Sequence, residues 1–350
     1  RLGAFWLFRV ECLPAIGVAF WLFAVECPPA VAGAFWLFAV PEIPTTALPE
    51  PTLTARPTGS RRNGYLRTGR PSGMERLPTG ISRLDSMIGG GAPPGSVVLL
   101  AGEVGAGARE FVYTSVAMNG LKESDQELFD LYYGNAHDAA RFPEEVHYIS
   151  FTADSDALLE EMRYVMDDEL VDAGTKHVEF ADLSSQYFQL SQVPREWYSD
   201  ATPNIGSLGD RDRRGTLNAV GEYLNENGTG NLVVIDSVTD LLSAAEEQMD
   251  WNQITLLMKG LKKASYRWGG LVLLLVNTEA LPEEHLGRLM DATDGTLLFE
   301  WESGGSERAR TLVVKQFRGV LSRLEDENII QFETEIHDGG FDISDVRKIR

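Results

Sequence analysis

Cysteine is scarce in this chain of 350 residues, which contains only Cys12 and Cys27. Both precede Met74, so the segment 74–350 has no thiol. This excludes a disulfide framework, a cysteine-ligated metal site and a cysteine nucleophile from that segment. The five histidines lack the spacing of a metal site, and no G-x-S-x-G elbow is present. A chain so poor in cysteine fits a cytoplasmic protein, which we expect here.

Basic residues are also few, with 31 Lys and Arg against 52 Asp and Glu and a net charge of −21. Residues 1–73 reverse this balance with seven Arg and four Glu, so the rest of the chain holds 24 basic and 48 acidic residues. A polyanion repels nucleic acid and anionic lipid. We therefore expect no nucleic-acid partner, and no membrane partner unless residues 1–40 are genuine.

The first 73 residues lack an apolar run long enough for a membrane span, which needs about 20 residues. Instead they repeat the tetrapeptide Phe-Trp-Leu-Phe at Phe5, Phe20 and Phe35, and then continue into the linker-like stretch Pro41–Gly73. Three copies of so short a unit are too few to form a stacked repeat fold. We predict that residues 1–73 are a non-native or disordered segment translated from a DNA repeat, with initiation at Met74. The alternative is a hydrophobic anchor or hairpin.

Apolar strands alternate with helical segments from Met74 onward. Val97–Ala101 is a continuous apolar run typical of a buried parallel strand, and Asp250–Arg267 has the apolar spacing of a helix. This alternation predicts an α/β fold with a mainly parallel sheet flanked by helices. The closely spaced late strands predict a small antiparallel extension at the C-terminus. The other predicted strands are His147–Phe151, Val178–Phe180, Leu232–Ile235, Leu271–Val276, Thr296–Trp301, Thr311–Val314 and Ile329–Thr334.

Two segments between these elements are predicted to be surface loops. One is the acidic stretch Lys122–Glu145, and the other is Ser199–Gly215 with its Pro, Gly and Asp-Arg turns. The second loop contains a small basic cluster interrupted by aspartates, which makes nucleic-acid binding there a minor hypothesis. The cluster consists of Arg211, Arg213 and Arg214.

The segment Gly102–Arg109 has the glycine spacing of a phosphate-binding loop without its reactive side chains. In the active pattern, G-x-x-x-x-G-K-[ST], the backbone wraps the phosphates, Lys holds the β- and γ-phosphates, and the hydroxyl ligates Mg²⁺. Gly102 and Gly107 keep the spacing, but Ala108 occupies the Lys position and Arg109 the Ser/Thr position. The loop amides can still form an anion nest, and Arg109 can pair with a phosphate in place of the metal.

Two segments just before this loop carry a family resemblance. Leu77–Asp85 is LPTGISRLD and Ile88–Ser96 is IGGGAPPGS. They resemble the opening of RecA/KaiC-type ATPases, TG-x-x-x-LD followed by GGG-x-P-x-G. The resemblance covers most of Met74–Arg350 and implies one domain with a RecA-like P-loop NTPase fold. The high content of acidic residues is similar to that of proteins from salt-loving archaea. The chain therefore resembles a KaiC-like protein of a haloarchaeon.

The resemblance implies a nucleotide site completed by a second strand. Leu232–Ser237 resembles the Walker B strand, whose Asp, here Asp236, holds the water shell of Mg²⁺. The alternative is that Asp236 caps the following turn. Because Arg109 replaces the hydroxyl ligand, we expect no metal, and Asp236 would be the ligand only if Mg²⁺ binds. The residues implied for weak binding of ATP or ADP are Gly102, Gly105, Ala106, Gly107, Ala108, Arg109, Asp236 and Ser237.

The catalytic carboxylate of the family is missing. KaiC-like proteins carry two Glu after the second strand to polarise the attacking water. The matching positions here are Thr152 and Ala153, neither of which accepts a proton usefully. Asp154 lies one position later and substitutes only if the loop shifts. The simpler interpretation is that Asp154 caps the following helix.

A fourth element, Lys315–Gly319, resembles the K-x-R-G motif that reaches the neighbouring subunit's nucleotide in ring assemblies. Arg318 and Gly319 match, whereas Gln316 stands where the Lys is expected and Lys315 is displaced by one residue. On a regular strand this displacement turns the Lys to the opposite face. Arg318 is either an arginine finger between subunits or a solvated strand charge.

Three functional groups of the active pattern are missing, namely the Lys, the metal-ligating hydroxyl and the water-activating Glu, which favours a degenerate RecA/KaiC-type protein. We expect a regulatory or interaction module with weak or no ATP hydrolysis, acting on itself as a homo-oligomer or on a regulatory protein. Loss of the phosphate-gripping charge alone lowers the rate about 10²-fold or more. The alternative is an active ATPase with a rewired site, built from Arg109, Asp154, Asp236 and Arg318.

Overall fold

The computed structural model describes residues 75–189, 191–198, 215–246, 249–302, 309–326 and 329–348. The repeat segment 1–73 lies outside the described residues. So do residues 199–214, which contain almost all of the second predicted loop and its basic cluster.

The strands of the described residues form one nine-stranded sheet in the order β3-β2-β4-β5-β1-β6-β7-β8-β9. The pairs from β3 through β6 are parallel, and the pairs from β6 through β9 are antiparallel. The predicted parallel sheet with an antiparallel C-terminal extension is therefore confirmed. The strands are β1 Ser96–Gly102, β2 Val146–Ser150, β3 Val178–Asp182, β4 Leu232–Asp236, β5 Leu271–Asn277, β6 Gly295–Glu302, β7 Ala309–Phe317, β8 Ile329–His337 and β9 Gly340–Lys348.

Helices connect the parallel strands, and among the described residues none is long and apolar enough to span a membrane. The predicted helix Asp250–Arg267 is confirmed as α9, with Asp250 as its N-cap. The helices are α1 Ser82–Ile88, α2 Ala108–Ser124, α3 Gln126–Tyr132, α4 Ser155–Arg163, α5 Asp168–Gly174, α6 Ser184–Phe188, α7 Thr216–Asn227, α8 Val238–Glu246, α9 Trp251–Trp268, α10 Glu283–Ala292 and α11 Leu321–Asp326.

The central strand β1 divides the core into two layers. Its residues are all buried, and they alternate between the two faces of the sheet because successive strand side chains point in opposite directions. Val98 and Leu100 pack in the cluster that contains α2. Val97 and Leu99 pack in the cluster that contains α9. A strand buried on both faces holds its C-terminal end in place. The segment Gly102–Arg109, which we call the glycine loop, begins at that end.

Lys122–Glu145, predicted to be a surface loop, instead contains helix α3, so that prediction was wrong. The side chain of Asp125 caps α3 by accepting two amide hydrogen bonds from its first turn. Phe129 is 1% exposed and its ring stacks on that of Tyr133 with 4.9 Å between centroids. Two aromatic residues four positions apart mark one helix face, and the acidic composition of the segment obscured this signal.

Strand β9 is absent from the strands predicted for this region. Phe341 and Ile343 are buried, and the intervening Asp342 is more exposed, so the segment alternates as a half-buried strand does. The segment pairs with β8 through a tight connection at Gly340, where φ is +96°. The extension is therefore one strand larger than predicted.

Asp85, the last residue of the TG-x-x-x-LD segment, is buried and holds the turn that leads into α1. One of its oxygens accepts hydrogen bonds from the amide and the hydroxyl of Thr79, both at 2.8 Å. The other accepts from the amide of Gly80 at 3.0 Å and from Tyr133 Oη at 2.9 Å. Burial raises the pKa of Asp85 to about 6, although the four hydrogen bonds lower it.

Asp85 gives a testable pH dependence of stability. Its folded pKa of about 6 lies above the ordinary 3.8, so its contribution is fully present below 3.8 and is lost as pH rises to about 6. We predict that the unfolding free energy of the wild type minus that of Asp85→Asn falls by about 2 kcal/mol between about pH 4 and pH 7. Urea denaturation of both proteins measures this difference. A difference that increases with pH would contradict the prediction.

Candidate functional site

The glycine loop connects the end of β1 to the start of α2, as in a strand–loop–helix phosphate cradle. Gly105 and Gly107 have φ of +74° and +107°, in the left-handed region that favours glycine. A Cβ on Gly102 would lie 2.6 Å from the Cβ of Ala108, so strand and helix pack closely only because residue 102 is glycine. The glycines predicted from the sequence thus shape the loop.

The loop presents backbone amides at the N-terminus of α2. Among the described residues, no acceptor contacts the amide groups of Gly105, Gly107, Ala108 and Arg109. Converging free N–H groups and the positive end of a helix favour an anion. The loop therefore retains the backbone part of a phosphate site.

Two side chains from strands β6 and β7 donate hydrogen bonds to carbonyl groups of the glycine loop. Trp301 Nε1 donates to the carbonyl of Val104 at 3.0 Å, and Arg310 Nε donates to that of Gly105 at 3.0 Å. The Arg310 guanidinium also lies 4.7 Å from the centre of the Trp301 ring. These contacts fix the loop in place and leave its amides as the groups available to a ligand.

Ala108 places no charge in the site. Its side chain is 7% exposed and belongs to the apolar cluster under α2. The residue position that carries the phosphate-gripping amine in an active loop is thus part of the core in this protein.

Arg109, one residue later, bridges two carboxylates. Its Nη2 lies 3.3 Å from Asp236 Oδ1, and its Nη1 lies 3.5 Å from Glu161 Oε2. Asp236 is 6% exposed at the end of β4, whereas the Arg109 and Glu161 side chains are 50% and 44% exposed. Arg109 therefore contacts the carboxylate of Asp236 directly.

Two tyrosines donate hydrogen bonds to these carboxylates. Tyr148 Oη donates to Asp236 Oδ2 at 2.5 Å, and Tyr113 Oη donates to Glu161 Oε2. Asp236 thus binds the guanidinium through one oxygen and a phenol through the other, whereas Oε2 of Glu161 contacts both the guanidinium and a phenol. We call Arg109, Asp236, Glu161, Tyr113 and Tyr148 the arginine bridge.

Burial and the neighbouring charges both shift the pKa values of the arginine bridge. It raises the pKa of Asp236 above its ordinary value, and the charge of Arg109 opposes this shift. Burial lowers the pKa of Arg109, but Asp236 and the neighbouring groups outweigh it and the net shift is upward. Burial also raises the pKa of both Tyr113 and Tyr148 well above the ordinary value. Both phenols therefore stay protonated at neutral pH and donate to the carboxylates.

Other predicted site residues have hydrogen-bond partners outside the arginine bridge. Ser237 Oγ donates to Asp240 Oδ2 at 2.5 Å. The amides of Thr152 and Ala153 donate to Ser150 Oγ at 3.4 and 3.1 Å. Exposed Asp154 is the N-cap of α4, where it accepts from the amide of Ala157 at 2.9 Å. The geometry therefore places Asp154 in the capping role, one of its two predicted roles.

Arg318 lies at the opposite end of β1 from the glycine loop. Its Nη1 is 3.2 Å from Oδ1 of Asp294, whose other oxygen accepts from the amide of Val97 at 3.2 Å. The six residues from Val97 to the loop span about 20 Å along the strand. Within one chain, Arg318 therefore does not join Arg109.

Lys315 lies at an irregularity in β7. The pairing of β6 with β7 shifts between Thr296 and Leu297, so Lys315 is an extra residue between Val314 and Gln316. Such an insertion changes the direction of a strand side chain without a full register slip. The Lys315 side chain is exposed, whereas Gln316 Nε2 donates to the carbonyl of Met290 at 2.5 Å.

Sequence patterns miss several residues that shape the site. Tyr113 follows Arg109 by one helical turn, and this spacing is a signal that could find it. Tyr148, Glu161, Trp301 and Arg310 come from distant elements and leave no local pattern. Among the described residues, no group of three or more His, Cys, Asp or Glu side chains is arranged to hold a metal ion.

A comparison with solved structures finds several that are similar to this chain. The KaiC-like protein PH0186 from the hyperthermophilic archaeon Pyrococcus horikoshii OT3 matches with a TM-score of 0.51 and 17% identity, over 78% of this chain and 100% of that one. The flagellar accessory protein FlaH from Methanocaldococcus jannaschii matches with a TM-score of 0.44 and 13% identity, over 76% and 96%. No protein-family model matches the sequence. No curated protein matches it. The first likeness confirms the predicted RecA-like fold.

Removal of Arg109 leaves Asp236 buried without its cation, which generates a testable prediction. Arg109→Ala is expected to lower the unfolding free energy by about 1–2 kcal/mol at about pH 7.5, less than for a fully buried pair because water screens the half-exposed guanidinium. The pKa of Asp236 is already raised in the folded state and rises further in the variant. The loss of unfolding free energy therefore becomes smaller as pH falls toward 3.8, the ordinary pKa of an aspartate. At that pH Asp236 is protonated in both folded proteins and does not need the cation.

Urea denaturation at several pH values measures this loss. Arg163→Ala is the matched control, because Arg163 pairs with Asp172 at 2.7 Å on the exposed side of the same region. The control is expected to change stability little. Equal losses in the two variants, independent of pH, would contradict the role given to Arg109.

Proposed function

We propose that this chain is a degenerate RecA/KaiC-type protein that acts as a regulatory or interaction module with weak or no ATP hydrolysis. The observation that carries the proposal is the contact of Arg109 with Asp236. In an active site of this fold, the carboxylate serves the metal and the hydroxyl beside it ligates the metal. Here a guanidinium replaces that hydroxyl and neutralises the carboxylate.

Weak binding of ATP or ADP is supported by the backbone of the loop. The free amides at the start of α2 and the positive helix end attract phosphate oxygens. Ala108 supplies no ammonium group for the β- and γ-phosphates, so affinity is expected to fall below that of a complete loop. The site thus fits a ligand that is held by the backbone and by Arg109.

Poor hydrolysis is supported by the environment of the attacking water. Thr152 and Ala153 occupy the positions of the activating carboxylates, and the carboxylate of Asp154 caps α4 instead. A general base must lie within hydrogen-bond reach of the water that it activates. The rewired ATPase would need Arg109, Asp154, Asp236 and Arg318 to converge. Arg318 could contribute only from another copy of the chain, so we favour the regulatory module.

The partner that such a module acts on is a second copy of the chain or a separate regulatory protein. Arg318, half-exposed beside the ring of Tyr266, is the side chain through which a neighbouring subunit's site could be reached. The net charge of −21 disfavours nucleic acid. We place the protein in the cytoplasm of a salt-loving archaeon, as the composition suggests.

Phosphate release under steady-state conditions tests this proposal. The wild type is expected to release phosphate from Mg·ATP no faster than Asp236→Ala. Ala108→Lys combined with Arg109→Thr is expected to bind ATP at least about tenfold more tightly, because it restores the ammonium group and the hydroxyl. Its hydrolysis stays slow, since the activating carboxylate is still missing. Rapid release by the wild type that Asp236→Ala abolishes would contradict the proposal.

A further inference from the structure

Mg²⁺ is the metal implied by this fold, and the residues around Asp236 do not fit it. Oδ1 of Asp236 contacts the Arg109 guanidinium at 3.3 Å, and Oδ2 accepts from Tyr148 at 2.5 Å. A divalent ion on Oδ1 would lie next to a fixed positive charge, which repels it. The side chain that should offer a hydroxyl ligand is Arg109 itself, and a guanidinium has no lone pair to give.

We propose that Arg109 is the resident cation of Asp236, and that the glycine loop binds phosphate groups that carry no divalent metal. The ligand class is a metal-free phosphate-bearing anion such as a nucleoside diphosphate. This inference rests on the proposed function, because it specifies the form of the ligand at the same loop.

Arg109 has enough hydrogen-bond donors to contact Asp236 and a bound phosphate at the same time. A guanidinium carries five N–H groups, and its contact with Asp236 uses one edge. Half of the Arg109 side chain is exposed, and it leaves the first turn of α2 beside the free loop amides. A phosphate on those amides can therefore receive donors from the backbone and from the same guanidinium, whose planar fork suits phosphate geometry.

Glu161 is the carboxylate that a phosphate would displace. It is 44% exposed and lies 3.5 Å from Arg109, whereas Asp236 is 6% exposed and lies closer, at 3.3 Å. Water can solvate Glu161 after it separates from Arg109, but it cannot solvate buried Asp236. Glu161 therefore competes with the anion, and Asp236 keeps the arginine in position.

Mn²⁺ titration tests the metal part of the inference without any nucleotide. Water-proton relaxation measures bound Mn²⁺ in about 1 M KCl, which screens the acidic surface. The wild type and Asp236→Asn are expected to give coincident curves, because Asp236 holds no metal in the wild type. Arg109→Thr is expected to add one Mn²⁺ that Asp236→Asn removes. A wild-type Mn²⁺ site that Asp236→Asn abolishes would overturn the inference.

ADP binding, measured by calorimetry in EDTA and in excess Mg²⁺, tests the ligand part. The wild type is expected to bind ADP no more tightly with Mg²⁺ than in EDTA, and Glu161→Gln to bind it severalfold more tightly in EDTA. Arg163→Gln is the control for a surface charge change. Binding that tightens about tenfold or more with Mg²⁺ would overturn the inference.

The two titrations separate failure of the inference from failure of the proposed function. Absence of ADP binding in both buffers would overturn nucleotide binding as a function, and with it the ligand part. The Mn²⁺ curves would still decide whether Arg109 is the resident cation of Asp236.

Discussion

The guanidinium of Arg109 lies between a buried and an exposed carboxylate at the carboxyl end of the parallel sheet. Its contact with Asp236, 3.3 Å from Nη2 to Oδ1, is the interaction on which the character of the site depends. A buried carboxylate needs a cation or strong donors, since burial alone favours its protonated form. Arg109 and Tyr148 supply these from within the chain. The site is therefore electrostatically satisfied without an added metal ion.

The frame around this contact is retained because it depends on backbone conformation and packing. Gly107 is the N-cap of α2 and has a positive φ, and buried Asp85 fixes the turn that leads into α1. Trp301 and Arg310 fix the loop carbonyls from the C-terminal extension. None of these groups needs the lysine, the hydroxyl or the glutamates of an active enzyme. The fold therefore does not depend on those groups, which agrees with the rule that fold does not determine function.

The sequence predicts most of the frame because strong local signals carry it. The apolar runs at Val97–Ala101 and Leu232–Ile235 form buried strands. The spaced glycines of the loop adopt the backbone conformations that the loop requires. Prediction failed at Phe129, where acidic neighbours obscured a short helix. It also missed the arginine bridge, because Glu161 and Tyr148 reach Arg109 through tertiary packing. The sequence shows that Arg109 stands where a hydroxyl is expected, but only the fold shows that Arg109 contacts Asp236.

A double-mutant cycle between Arg109→Ala and Asp236→Asn tests the central claim most directly. The unfolding free energies of the wild type, the two single variants and the double variant give the coupling between the two side chains. We predict a favourable coupling of about 1–2 kcal/mol at neutral pH, as expected for a partly exposed pair with one buried carboxylate. Additive losses, within about 0.3 kcal/mol, would show that Arg109 does not serve as the cation of Asp236.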